Sequence, residues 1–157
     1  MNKMTGGGDK IEFEYKGTKF MFTRSKNESN NSVNYHLYPN ADESRTDYCI
    51  FIILDKPENM IYLHTITYND KCFKKIHYEI LGNNISHGTF VLKMAMEFIK
   101  KISKASGITF VALKYNSFKY CDGVNISIPM MHTLLNGDTW YGKFGFVPKD
   151  NMKAKIN

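Results

Sequence analysis

Apolar and polar residues alternate from Ile11 onward, with Ile11, Phe13 and Tyr15 on one side and Glu12, Glu14 and Lys16 on the other. That two-residue period predicts a half-buried strand. Lys16-Gly17-Thr18 reads as a turn into a second strand over residues 19–24, giving a hairpin. Residues 25–32 are polar and Asn-rich, hence a loop. Further strands are expected at 33–38 and 48–54. The second contains Cys49-Ile50-Phe51-Ile52-Ile53-Leu54, apolar on both faces as a central strand would be. Residues 60–68 and 72–81 form the next expected pair, joined by a turn at Asn69-Asp70, so the first part of the domain reads as an antiparallel meander.

The period then changes. Val91, Met94, Ala95, Phe98, Ile102 and Ala105 share one helical face, while Lys93, Glu97, Lys100, Lys101 and Lys104 share the other. Gly107 closes this helix as a C-terminal cap, and residues 108–113 come next as a buried strand. A strand at 72–81, a helix and a strand at 108–113 imply a parallel pair with a right-handed crossover. A shorter helix is expected over 129–135, opened by Pro129 and closed by Gly137. Trp140, Tyr141, Phe144 and Phe146, punctuated by Gly142 and Gly145, predict a tightly packed helix-to-strand corner. The fold class is α+β: a mixed, mostly antiparallel twisted sheet with a parallel strand pair around one long helix. Residues 1–9 read as a flexible leader, 10–150 as one domain and 151–157 as a basic tail.

A chain of 157 residues can bury a substantial core. No apolar run is long enough to span a membrane, and the N-terminal residues lack the apolar centre of a secretory signal, so an intracellular, cytoplasmic protein is expected. The net charge of +6 comes mostly from scattered lysines, which suits solvated faces better than a base-reading surface, so no nucleic-acid partner is expected. Cys49, Cys72 and Cys121 lie far apart without metal-ligand spacing, and the expectation is three reduced thiols.

Tyr141 to Phe146 resembles the Tyr-x-x-x-Gly-Phe signature of the GCN5-related N-acetyltransferase (GNAT) superfamily. Its extended form, from Gly137 through Thr139-Trp140-Tyr141-Gly142-Lys143-Phe144-Gly145-Phe146, is similar to GNAT-like proteins of large DNA viruses. The loop Gly82-Asn83-Asn84-Ile85-Ser86-His87-Gly88-Thr89 stands where the family carries Arg or Gln, two residues, Gly, one residue, then Gly or Ala. Asn83, Ser86 and Gly88 occupy the signature positions. Asn83 replaces a longer side chain and Ser86 replaces a glycine, and Ser86 also suits a simple helix cap. The match is strongest over 72–148, and the family's first helices have no counterpart between residues 11 and 60.

The resemblance implies acetyl-CoA in a cleft between strands 72–81 and 108–115, with its pyrophosphate held by Asn83, Ser86, His87, Gly88 and Thr89 at a helix N-terminus. It implies a backbone N–H near Tyr78 for the oxyanion. Tyr141 would return a proton to the departing thiolate, and Glu79 would take one from the amine, with His77 or His64 as substitutes. The expected activity is acetyl transfer from acetyl-CoA to a primary amine on a small molecule or protein. The alternative is a GNAT-like protein without catalysis, serving as a structural or interaction component with protein partners, within a viral particle if the source is viral.

Overall fold

Tyr15 and Thr18 face each other across a two-residue turn in which Lys16 (φ 48°) and Gly17 (φ 77°) both take left-handed backbone. Two positive φ angles in succession define the hairpin turn whose twist matches that of its strands. The strands it joins are β1 (Asp9–Tyr15) and β2 (Thr18–Asn27). The computed structural model describes residues 8–38, 48–67, 70–73, 87–113, 118–121, 123–127, 141, 142 and 146. They belong to two compact units, Met1–Lys114 and Tyr115–Asn157.

The first unit continues with β3 (Ser32–Leu37), β4 (Ile50–Asp55) and β5 (Met60–Ile66). The β2–β3 and β4–β5 turns are built alike. Each ends on an asparagine with φ 51°, Asn31 in one and Asn59 in the other, a conformation that asparagine tolerates better than most residues. Each also opens on an acceptor side chain: Asn27 Oδ1 takes the Ser29 N–H at 3.2 Å, and Asp55 Oδ1 takes the Glu58 N–H at 3.0 Å. A single helical turn, α1 (Asp70–Phe73), precedes the long helix α2 (His87–Ser106) and the short strand β6 (Val111–Leu113).

The six strands lie in the order β1-β2-β3-β4-β5-β6. Pairing is antiparallel through β5 and parallel between β5 and β6, where Ile61, Tyr62 and Leu63 face Val111, Ala112 and Leu113. The result is an α+β unit with a mixed sheet and one long helix, as the change of period predicts. On β3, Val33, Tyr35 and Leu37 are buried while Asn34 and His36 between them are half-buried, so α2 covers one face of the sheet. Phe98 centres that contact. Its ring stacks on Phe22 (centroids 3.9 Å, interplanar angle 10°) and meets Phe13 and Tyr35 edge-on at 5.2 and 5.5 Å. Burying such a ring contributes roughly 1.5–3 kcal/mol.

The helix stops at Gly107, whose φ of 77° and N–H bond to the Ser103 carbonyl (2.8 Å) form a left-handed cap. In the second unit, β7 (Phe118–Cys121) and β8 (Val124–Ser127) form a hairpin whose turn contains Gly123 at φ 83°. The helix expected at 129–135 and the tail at 151–157 lie outside the described residues.

Two expectations are corrected. The strand expected to begin at Cys72 is at that point the helical turn α1, because Phe73 packs its ring against Phe20 and Phe90 (6.2 and 5.9 Å) and is 1% exposed. Among the described residues the strand after the helix pairs in parallel with β5, and Ile61 also donates its N–H to the Phe110 carbonyl at 2.9 Å; residues 74–81, the rest of the expected partner, lie outside the described residues. Finally, Cys49 and Cys72 are joined as a disulfide rather than held as thiols. Their Cα atoms stand 6.6 Å apart, within bridging range, because the bend before β4 and the turn α1 meet at one end of the sheet.

Candidate functional site

The antiparallel run makes β1, β3 and β5 point the same way, and β6 is parallel to β5. Phe90 in the first turn of α2 touches Tyr15, the last residue of β1, at 5.7 Å between centroids. Lys101, three turns on, reaches the Glu12 carbonyl nearer the start of β1. The helix thus runs against β5 and β6, and its N-terminus lies at the carboxyl ends of these strands. That corner is where open α/β sheets bind ligands, because a first helical turn presents backbone N–H groups that the helix itself does not pair.

His87, Gly88 and Thr89, expected in a loop, instead form the opening of α2. Gly88 is exposed and Thr89 half-buried, and no acidic residue occupies the first turn. An anion approaching there meets the positive end of the helix, and the first turn itself adds no carboxylate. Tyr78, Glu79, Asn83, Ser86 and the substitute base His77 lie outside the described residues. Tyr141 belongs to the second unit, in a one-turn 3-10 segment with Gly142. Its carbonyl accepts the Phe146 N–H at 3.4 Å, and the two rings meet edge-on at 6.1 Å; Trp140 and Phe144, the other aromatics of the expected corner, lie outside the described residues.

His64 is exposed on β5, the strand that pairs with β6, with Nδ1 2.8 Å from the Thr65 hydroxyl. It closes a ring cluster on the sheet face opposite α2 that sequence reasoning does not identify. His36 stacks on Phe51 (4.3 Å, 16°) and on Tyr38 (5.3 Å, 22°), Tyr48 lies 4.8 Å from His36, and Phe51 touches His64 at 4.7 Å. Register places the rings together: His36 faces Phe51 across β3–β4, and a shift in the β4–β5 pairing between Phe51 and Ile52 sets Phe51 opposite Thr65. The available signal is the alternation of 34, 36 and 38 against the buried 33, 35 and 37. Burial, and then the neighbouring His64, lower the His36 pKa and favour its neutral ring.

The Cys49–Cys72 bridge and Phe73 occupy the same end of the sheet as the α2 N-terminus. Cys72, bonded to Cys49, presents no free thiol. Cys121 falls on β7. Among the described residues no three His, Cys, Asp or Glu side chains converge to hold a metal ion, and no helix is long and apolar enough to cross a membrane. Comparison with protein-family models, curated proteins and solved structures finds no match to this chain.

Proposed function

We propose that the chain is a GNAT-like N-acetyltransferase that uses acetyl-CoA and a primary amine. The observation that carries the reading is the crossover from β5 through α2 to the parallel strand β6, which sets Gly88 and the start of α2 at the carboxyl end of a parallel pair. Pairing between the two strands covers Ile61–Leu63, and β5 continues to Ile66. Acetyl-CoA would lie against that continuation, with its phosphates at the first turn of α2.

In this reading His64, placed on β5, takes the proton from the ammonium of the acceptor. The amine nitrogen would then attack the thioester carbon, the C–S bond break, and the second proton lost by the nitrogen pass to the coenzyme thiolate. Binding and alignment of the two reactants would supply much of the rate.

A second reading, a GNAT-like interaction protein without catalysis, is favoured by one observation: Phe73 is buried against Phe90 in the first turn of α2, so apolar packing occupies ground next to the proposed phosphate site. Release of free coenzyme thiol, followed with acetyl-CoA and a panel of polyamines and lysine peptides, separates the two. The enzyme reading predicts amine-dependent release that falls on the order of 100-fold in His64→Gln. Release no faster than with amine alone leaves the second reading.

A further inference from the structure

We propose that the Cys49–Cys72 bridge is a redox-sensitive clamp, whose reduction by a dithiol frees α1 and loosens the first turn of α2 while the sheet stays folded.

The two ends of the bridge are held very differently. Cys49 is 1% exposed, and its backbone is fixed on both sides: its N–H donates to the Leu37 carbonyl at 2.8 Å, and its carbonyl accepts the Thr67 N–H at 2.8 Å. It belongs to the ladder of β3, β4 and β5 whether or not its sulfur is bonded. Cys72 is half-buried and sits in α1, a four-residue turn. A single helical turn cannot hold itself in water, because nucleation costs more than one turn of hydrogen bonds returns. Among the described contacts, α1 is kept in place by the bridge at Cys72 and by the ring of Phe73 between Phe20 and Phe90.

Reduction balances as an exchange. A dithiol thiolate attacks the sulfur of Cys72, the less buried of the two residues; the Cys49 sulfur leaves and takes a proton; the second thiol of the reductant then closes its own disulfide and releases the Cys72 thiol. Two protein thiols and one reductant disulfide result. Cys49 stays in the ladder. Cys72 loses its covalent attachment to the sheet, and because the adjoining Phe73 touches Phe90, the disturbance reaches the first turn of α2.

The test uses the full chain purified without reductant. Alkylation and then peptide mapping should find the Cys49–Cys72 pair intact and Cys121 outside it. Hydrogen exchange is then compared before and after dithiol treatment. Amides of Phe73 and of 90–93 should exchange at least about tenfold faster in the reduced chain, with β1 to β4 unchanged. Cys72→Ser should show the reduced pattern with or without dithiol, and Cys121→Ser should respond as the wild type does. If Cys72→Ser fails to fold, the reduced wild-type chain decides alone. Equal exchange in both states, three alkylatable thiols before reduction, or loss of protection throughout the sheet on reduction would each overturn the proposal.

Discussion

Phe73 and Phe90 meet edge to face, with ring centroids 5.9 Å apart and planes at 84°, so the last residue of α1 and the first turn of α2 share one buried contact. Both rings are almost fully buried, at 1% and 2% exposure. Removing one leaves a ring-sized void that the strands around it cannot close. Phe73→Ala should therefore lower stability by about 3–5 kcal/mol, and Phe73→Leu by much less. Urea unfolding of the full chain measures both; a loss for the alanine variant no larger than that for leucine contradicts the packing described.

Gly107 offers a cleaner test of backbone geometry. A Cβ added there meets nothing within 4 Å, so any cost of Gly107→Ala arises from its φ of +77° alone. That cost should be about 1–2 kcal/mol. Gly107→Asn, which tolerates the left-handed region, should recover part of it in the same thermal unfolding series. Equal stability of alanine and glycine at this position would refute the cap.

The histidine-aromatic cluster makes stability depend on pH in a stated direction. His36 has a folded pKa below its unfolded value, chiefly through burial and then through the neighbouring His64. Between the lowered folded pKa and the unfolded value near 6.5, the unfolded chain binds more protons than the folded one, so stability rises with pH across that window. It is fully present above the unfolded pKa and is lost as acid is added. His36→Phe keeps a stacking ring and removes the titration. The difference between wild type and variant, measured by chemical denaturation at successive pH values, should shrink or reverse on going from neutral to acidic solution. A constant difference contradicts the burial of His36.

The sheet and its helix are legible in the sequence because each is written locally. Alternation at Ile11, Phe13 and Tyr15 marks β1, the doubly apolar run at Ile50 to Leu54 marks a central strand, and the face carrying Val91, Met94 and Phe98 marks α2. The chain just beyond Ile66 is not legible in the same way. The strand-like alternation begins at Cys72, but at Cys72 and Phe73 the chain is the turn α1, because Phe73 is drawn into the core between Phe20 and Phe90; residues 74–81 lie outside the described residues. The partner of β6 is likewise chosen by the sheet: β5 presents an open edge, and the crossover through α2 returns the chain to it. Cys49 and Cys72 are 23 residues apart in sequence, a spacing with no signature of its own, and only the topology brings them together. Of the candidate site, the resemblance to a phosphate loop puts Gly88 and Thr89 near a helix start, and they open α2. The His36–Phe51–His64 cluster depends on strand register, including the shift beside Phe51, which no local pattern encodes.

Whether the start of α2 receives acetyl-CoA is decided by calorimetric titration of the full chain with that coenzyme, run beside Gly88→Glu. The substitution sets a carboxylate in the first turn of α2, where it favours the helix and repels phosphate. Saturable binding by the wild type that weakens with salt is expected, with a gain of about 2.7 kcal/mol in stability at roughly 100 times Kd, and loss of both in the variant without loss of fold. No binding heat at millimolar ligand, together with an unchanged unfolding temperature, would contradict a coenzyme site at this helix.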